Sequence, residues 1–181
     1  SKILYWDRRG LGTVHLLDEQ GCDRLLGPDK LGPDALAISE NEFVERFQTL
    51  NRPIKPALLD QKLIAGIGNL YASEILHRAK VNPELRCNAV LGKSWSQIYY
   101  WMRSVLELAI DNQGSTLGDG TYRNAINGEG AFQHFHQVYA RAGERCSVCK
   151  KGEIQRIVQA QRSTFFCPIC QKKSKKLPRA K

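Results

Sequence analysis

Long hydrophobic runs are missing from this sequence. No stretch approaches the ~18 uncharged apolar residues that a membrane-spanning helix needs. The first ten residues, SKILYWDRRG, have no apolar core between their charges and are therefore not a signal peptide. We expect a soluble, cytoplasmic protein without a membrane partner.

Acidic residues are scarce at the C-terminal end. Residues 141–181 contain twelve Lys or Arg and two Glu, whereas residues 1–140 contain fifteen basic and sixteen acidic residues. The formal net charge of +9 therefore arises at this end. Such a concentration attracts polyanions, of which nucleic acid is the commonest inside a cell. For the tail KKSKKLPRAK, a solvated segment that only aids solubility is the alternative.

Groupings of side chains for nucleophilic catalysis are also missing. The four histidines are scattered along the sequence, at His15, His77, His134 and His136. The last two would share one side of a strand, but no third metal ligand accompanies them, so we interpret both as surface residues. No Ser/His/Asp or Cys/His arrangement is recognisable.

Cysteines, in contrast, form a clear pattern. Four of them have the spacing C-x2-C-x17-C-x2-C, at Cys146, Cys149, Cys167 and Cys170. This spacing is typical of a four-thiolate zinc site, and four sulfurs leave no position for a catalytic water. We predict one structural zinc ion, with an Fe–S cluster as the alternative. Cys22 and Cys87 lie outside the pattern and are interpreted as ordinary thiols.

The residues between the two cysteine pairs favour a β-hairpin. Ile154, Ile157 and Val158 fit one strand and residues 163–166 fit the other. The tip, QAQRS, exposes Arg162. A guanidinium can donate two hydrogen bonds, which suits a phosphate oxygen or a groove edge. A solvated arginine is the alternative.

Helical periodicity dominates the middle of the chain. A capping box of Ser39 and Glu42 begins the first helix. We expect three further helices, at residues 56–61, 69–81 and 94–112. Before them, residues 2–19 alternate apolar and polar positions around a glycine-containing loop, which predicts two strands from the end of a β-domain. Residues 114–132 are predicted to be a long polar loop.

A glycine turn precedes the third helix. Gly66 and Gly68 stand before Asn69, which we place at the N-cap. In such a turn, backbone N–H groups can approach an anion, and the helix dipole adds partial positive charge. The spacing differs from a Walker A loop and is typical of the hairpin in a DNA-backbone-binding helix-hairpin-helix. Tight packing between helices is the alternative.

Four motifs carry a family resemblance. They are DRRGLGT at 7–13, IKPALLDQKLIAGIGNLYASEIL at 54–76, VYARAGERC at 138–146 and AQRSTFFCPICQ at 160–171. Together they resemble the Fpg/Nei family, the formamidopyrimidine-DNA glycosylases and endonuclease VIII relatives that excise oxidised bases, and in particular its bacterial formamidopyrimidine-DNA glycosylase branch. The resemblance implies a mainly α fold with small β content, in which a helix-two-turn-helix domain and a four-cysteine zinc-ribbon hairpin grip damaged duplex DNA.

This resemblance also implies a division of the chain. We expect the end of an N-terminal catalytic β-domain and a linker, the helix-two-turn-helix domain, the zinc finger and a basic tail, at residues 1–36, 37–140, 141–173 and 174–181.

Individual residues take on roles through the same resemblance. Asn69 is similar to the family's phosphate-binding asparagine, and Lys55 to a residue that contacts the DNA backbone. Arg162 is similar to the zinc-finger arginine that holds the phosphates beside the flipped nucleotide. Gly66 and Gly68 belong to the DNA-binding turn.

A loop near the N-terminus resembles the one that fills the gap left by base flipping. Asp7 and Gly12 bracket this loop, and Arg9 matches the arginine that faces the orphaned base. Leu11 stands where the family usually has phenylalanine, so the wedge is smaller and the opposite-base preference is left open. Residues 121–132 match the loop that covers the flipped base.

The family's catalytic residues have no match here. Its N-terminal proline amine attacks the sugar carbon to form a Schiff base, and the next glutamate transfers protons. This sequence begins Ser1-Lys2-Ile3 and also lacks the family's β-hairpin lysine. We therefore expect this chain alone to be inactive and to contain no catalytic residue.

The function implied is damaged-DNA binding in base excision repair. The chain would be the C-terminal part of a bifunctional DNA glycosylase/AP lyase that excises 8-oxoguanine and formamidopyrimidine and nicks the strand by β,δ-elimination. We expect a monomer, associated with the nucleoid, with double-stranded damaged DNA as partner. The alternatives are a non-catalytic zinc-containing DNA-binding protein derived from that family and a ribbon that mediates protein contacts.

Overall fold

The computed structural model describes residues Tyr5, Asp7, Gly10, 12–116 and 128–173. The helices run in the order α1 Glu19–Leu26, α2 Glu40–Phe47, α3 Ile54–Leu58, α4 Asn69–Arg78 and α5 Gly92–Asp111. Short 3-10 turns cover Cys87–Ala89 and Phe132–Phe135. Two antiparallel strands follow, β1 Gln155–Gln159 and β2 Arg162–Phe166. The predicted mainly helical fold with a small cysteine-bearing hairpin is confirmed.

Helices α2 to α5 form one helical unit, defined here as residues 32–116 and 128–136. Its core combines aromatic rings from α2 and α5 with aliphatic side chains from α3, α4 and α5. Phe43 lies against Phe47, Trp95 and Tyr99, with ring centroids 4.9, 5.9 and 5.9 Å away. On α5, Ile98, Met102, Val105 and Ala109 recur at helical spacing on one face, and all four are buried.

The capping box at α2 forms only in part. The Glu42 backbone N–H donates to Ser39 Oγ over 3.3 Å, as predicted. The Glu42 carboxylate does not return to the cap, because it accepts from Arg46 one turn later over 2.8 Å. The helix therefore begins where the sequence predicts, with one of the two predicted contacts.

The N-terminal prediction of two strands is wrong where the structure can be compared with it. Among the described residues, none between 12 and 18 pairs in a sheet, and α1 begins directly afterwards. Asp18 caps α1 by accepting the Gly21 N–H over 2.7 Å. A short, polar helix of this kind depends on its cap and not on an apolar stripe, so alternation alone did not reveal it.

The second unit, the ribbon (residues 137–173), contains the hairpin. Gln155 pairs with Phe166 and Gln159 with Arg162, so the connecting turn has only two residues, Ala160 and Gln161. Both have positive φ, 45° and 60°, as the twist of a tight hairpin requires. The turn places Arg162 at the exposed tip.

Helix length and apolarity bear on the membrane question. Within the described part of the chain, no helix is both long enough and apolar enough to cross a membrane.

Candidate nucleic-acid interface and metal centre

The four cysteines of the motif meet at one end of the ribbon. Their sulfur atoms all lie within 4.8 Å of one another. Cys146 and Cys170 are 3.8 Å apart, and Cys149 and Cys167 are 3.7 Å apart. A tetrahedron with Zn–S bonds of about 2.3 Å has an edge of about 3.8 Å, so these separations fit a zinc ion. The prediction of one structural zinc is confirmed.

Backbone groups prepare part of this cluster for the thiolate form. N–H donors of Gly152 and Lys151 lower the pKa of the Cys149 thiol to about 6. Burial acts in the opposite direction and raises the pKa values of Cys167 and Cys170. A bound cation favours the thiolate at all four positions. Metal loading therefore stabilises charges that burial alone opposes.

Gly152 leaves the space that the cluster needs. A Cβ atom at this position would lie 2.6 Å from Cys167 Sγ and 3.0 Å from Ile169 Cγ1. The Gly152 N–H also donates to Cys149 Sγ over 3.3 Å. Because any side chain here would displace a metal ligand, glycine is required by close approach.

Glu74 joins the helical unit to the start of the ribbon, and the sequence did not reveal it. Its carboxylate is fully buried on α4. It accepts the backbone N–H groups of Gln137, Val138 and Tyr139 over 2.9 to 3.0 Å. Three donors to one carboxylate fix the direction in which the chain enters the ribbon.

Gln171 makes a second junction at the other end of the ribbon. Its fully buried side chain donates to Val81 O over 2.8 Å and accepts from Cys167 N over 3.0 Å. Its backbone carbonyl accepts from Asn82 Nδ2 over 2.8 Å. A metal ligand is thus tied by hydrogen bonds to the helical unit.

Lys55 and Asn69 meet the hairpin at a third junction. Lys55 Nζ donates to Asn69 Oδ1 over 2.6 Å, and Asn69 Nδ2 donates to Ser163 O over 3.0 Å. Lys55 Nζ also lies 3.3 Å from Ser163 O. The three groups therefore form a closed polar triangle beneath the tip that carries Arg162.

Asn69 is not the N-cap that the sequence predicted. Gly68 occupies the cap with φ −95° and ψ 174°, and Asn69 is the first helical residue. No side chain caps α4. The Asn69 amide is used by Lys55 and Ser163 instead, so the helix keeps an uncapped, electropositive N-terminus.

Lys55 lies beneath the N-terminus of α4 and the hairpin tip, and it is not exposed there. Its side chain is fully buried. Burial, with a smaller contribution from the positive charge of Arg162, lowers the pKa of Lys55 to about 8. The lysine therefore organises Asn69 and the hairpin while placing a titratable positive charge close behind Arg162.

The two glycines of the predicted anion turn behave differently. Gly66 has φ +98°, a conformation that favours glycine, and its N–H donates to Gln61 Oε1 over 3.0 Å. That N–H is thus engaged within the protein. Gly68 has ordinary φ, and the nearest atom to an added Cβ would be Tyr71 Cδ2 at 4.0 Å.

One histidine interpretation is wrong. His134 is exposed, as expected, but His136 is buried, with Nε2 3.0 Å from Ser115 Oγ. Burial, followed by the charge of Arg141, lowers the pKa of His136 to about 4. Its surroundings include the rings of Phe132 and Tyr139, and burial of this kind is not visible in the pattern HFH.

Arg9 and Leu11 lie outside the described residues, as do residues 121–127 of the predicted covering loop. Their roles stay predictions.

Comparisons with known proteins agree with this geometry. The family model "Formamidopyrimidine-DNA glycosylase H2TH domain" matches residues 26–120, and "Zinc finger found in FPG and IleRS" matches residues 143–173. A formamidopyrimidine-DNA glycosylase of Chloroflexus aurantiacus is 43% identical over 173 residues, covering 94% of this chain and 60% of the relative. The Gluconobacter oxydans protein of that name is also 43% identical, covering 92% and 60%.

Solved structures of similar proteins agree with these sequence matches. The MutM (Fpg) protein of Thermus thermophilus superposes with a TM-score of 0.75 at 38% identity, covering 80% of this chain and 55% of its own. Lactococcus lactis Fpg in complex with abasic-site DNA gives 0.73 at 36% identity, covering 80% and 53%. The chain spans about 60% of the length of the curated relatives. From the matched domains and these identities, this chain belongs to the formamidopyrimidine-DNA glycosylase family.

Proposed function

We propose that this chain binds damaged double-stranded DNA in base excision repair, through contacts to the phosphate backbone of the DNA. The observation that carries the proposal is the junction of Lys55, Asn69 and Ser163. There the N-terminus of α4 and the ribbon tip become one surface, with Arg162 exposed on it. An uncapped helix N-terminus beside a forked cation suits two phosphate oxygens better than it suits a neutral ligand.

The charge distribution supports the same partner. Twelve of the 27 Lys and Arg residues lie in residues 141–181, with only two Glu beside them. Arg162 stands at the tip of this basic segment, and the buried positive charge of Lys55 lies behind it. Phosphate contacts of this kind position a protein on DNA and carry no sequence information. Binding should therefore be strongly dependent on salt and weakly dependent on sequence.

The solved structures of relatives indicate which kind of DNA lesion to expect. One solved Lactococcus lactis Fpg holds DNA with an abasic site, and others hold DNA with a Fapy-dG base. By extension, the enzyme to which these residues correspond is a bifunctional glycosylase and AP lyase that excises oxidised purines such as 8-oxoguanine, followed by β,δ-elimination. Such an enzyme acts on the bacterial nucleoid. We propose that residues 1–181 bind this DNA as a monomer and without turnover. The proposed DNA contacts are Asn69, Arg162 and the turn Gly66–Gly68.

A binding experiment tests the proposed DNA contacts. Fluorescence anisotropy would compare the 181-residue chain with Asn69→Ala and Arg162→Ala on a duplex that contains an abasic-site analogue, over a salt series. Each variant should weaken binding across all sequences, and loss of Arg162 should reduce the salt slope by about one. Arg24→Ala, an equal loss of charge at an exposed position of α1, is the control and should retain wild-type affinity. Wild-type affinity in both site variants would refute the assignment.

A second experiment distinguishes DNA binding from catalysis of the lyase reaction. Borohydride would be added to the chain on abasic-site duplex, at concentrations where anisotropy reports saturation. Binding without a covalent adduct is the expected result, because a Schiff base requires a positioned amine. A trapped adduct would show that this polypeptide catalyses the lyase reaction itself.

A further inference from the structure

His77 occupies the contact between the helical unit and the metal centre. It lies on α4 and is only 1% exposed. Its Nε2 atom is 3.6 Å from Cys146 Sγ, and its Nδ1 atom is 3.0 Å from Gln137 Oε1. One ring on α4 therefore contacts both a cysteine of the zinc site and the first residue of the ribbon.

The protons on this ring can be assigned from its two neighbours. With the Gln137 oxygen facing Nδ1, the ring proton lies on Nδ1, and Nε2 can only accept from a Cys146 thiol. A zinc-bound thiolate has no proton to donate, so Nε2 must then carry the proton. A neutral imidazole carries a single proton, so Nδ1 then has none and can accept a hydrogen bond.

Gln137 can follow this change without moving its main chain. Its backbone N–H donates to the buried Glu74 carboxylate over 3.0 Å, which fixes the backbone. A half-turn of the side-chain amide exchanges its oxygen for its NH2 group in front of Nδ1. The amide then donates to Nδ1, and the ring donates from Nε2.

We propose that His77 supports the metal centre without binding the metal itself. When zinc is bound, it donates Nε2–H to the Cys146 thiolate and accepts at Nδ1 from the turned Gln137 amide. Hydrogen bonds of this type orient a ligand and raise metal affinity.

The position of His77 gives this contact a second consequence. Asn69 begins the same helix, eight residues earlier, which is about 12 Å along a rigid element. His77 is thus a positioning residue that holds the metal-bound end of the ribbon on the helix whose other end forms the proposed DNA surface. The inference rests on the metal site and does not require the DNA-binding proposal to hold.

Metal affinity tests the contact in the full 181-residue chain. His77→Phe removes the donor and retains a ring of similar size, and His134→Gln changes an exposed histidine as control. Competition with a chelator should show about 10- to 100-fold weaker zinc binding in H77F and no change in H134Q. With cobalt(II) as a spectroscopic probe, the thiolate-to-metal charge-transfer band should shift in H77F alone. An H77F protein with wild-type affinity and an unshifted band would overturn the proposal.

A measurement on the wild-type protein avoids any folding defect of the variant. Nitrogen-15 chemical shifts and long-range couplings identify which ring nitrogen carries the proton. The zinc-loaded chain should show His77 protonated at Nε2 and not at Nδ1. Protonation at Nδ1 in the loaded protein would overturn the proposal, whatever the DNA affinity.

Discussion

The helical unit and the ribbon keep their shapes by different means. Among the described residues, 23 buried apolar side chains form the core of the helical unit, and only five form that of the ribbon. Two of those five, Cys146 and Cys167, are metal ligands. A small segment with so little apolar core depends on its metal for folding. The proposed DNA surface needs both units, because one supplies Asn69 and the other supplies Ser163 and Arg162.

Metal removal should have the largest effect, and it should affect the two units differently. Chelation of zinc should unfold the ribbon while α2 to α5 stay folded, because the binding energy of the metal is folding energy for the ribbon alone. DNA affinity should fall with it. Amide hydrogen exchange would show lost protection in β1 and β2 and retained protection in α5. Cooperative loss of both units on chelation would contradict the account.

Glu74→Gln should have the next largest effect, because it acts at the junction. All three backbone donors reach Oε1, and the Gln137 N–H also reaches Oε2. The variant therefore loses the negative charge that strengthens these bonds, and its amide NH2 group faces the Gln137 N–H donor. We expect the free energy of unfolding to fall by about 3 kcal/mol. Glu107→Gln, at an exposed pair with Arg103 on α5, is the control and should change it by less than about 1 kcal/mol. Equal denaturation midpoints for the two variants would contradict the role given to Glu74.

The glycine turn offers a smaller, matched comparison within the helical unit. Gly66→Ala places a side chain at φ +98° and should cost about 1 to 2 kcal/mol in a urea melt. Gly68→Ala meets only Tyr71 Cδ2, at 4.0 Å, and keeps an ordinary φ, so it should cost less stability than Gly66→Ala. A closer approach to phosphate requires the absence of a side chain, so Gly68→Ala should instead weaken DNA binding. If both variants melt like the wild type, the left-handed turn is not a constraint.

The smallest expected effect is a pH dependence that arises from Lys55. Its pKa is lowered to about 8 in the folded chain from an ordinary value of 10.5. Between these values the unfolded chain binds more protons, so this residue makes the free energy of unfolding rise with pH. DNA affinity should fall over the same rise, as the charge behind Arg162 is lost. Lys55→Met should abolish both trends, and their persistence in that variant would assign them to another group.

Local sequence patterns predicted much of this molecule. The cysteine spacing located the metal site, and apolar periodicity located α2 and α5. The polar contacts that join the two units were not predictable in this way, because Glu74 and Gln171 find their partners 63 to 90 residues away. The Asn69 cap was wrong for the same reason. A local rule assigned its amide to the helix, whereas a distant strand and a buried lysine use it.

The most direct test of the central claim is a hydrogen-exchange map of the zinc-loaded chain with and without abasic-site duplex. The account predicts that DNA protects two separated segments together, residues 66–72 at the start of α4 and residues 159–163 at the ribbon tip, while α5 exchanges as before. Protection of only one segment, or of neither, would contradict a phosphate-binding surface built jointly by the helical unit and the ribbon.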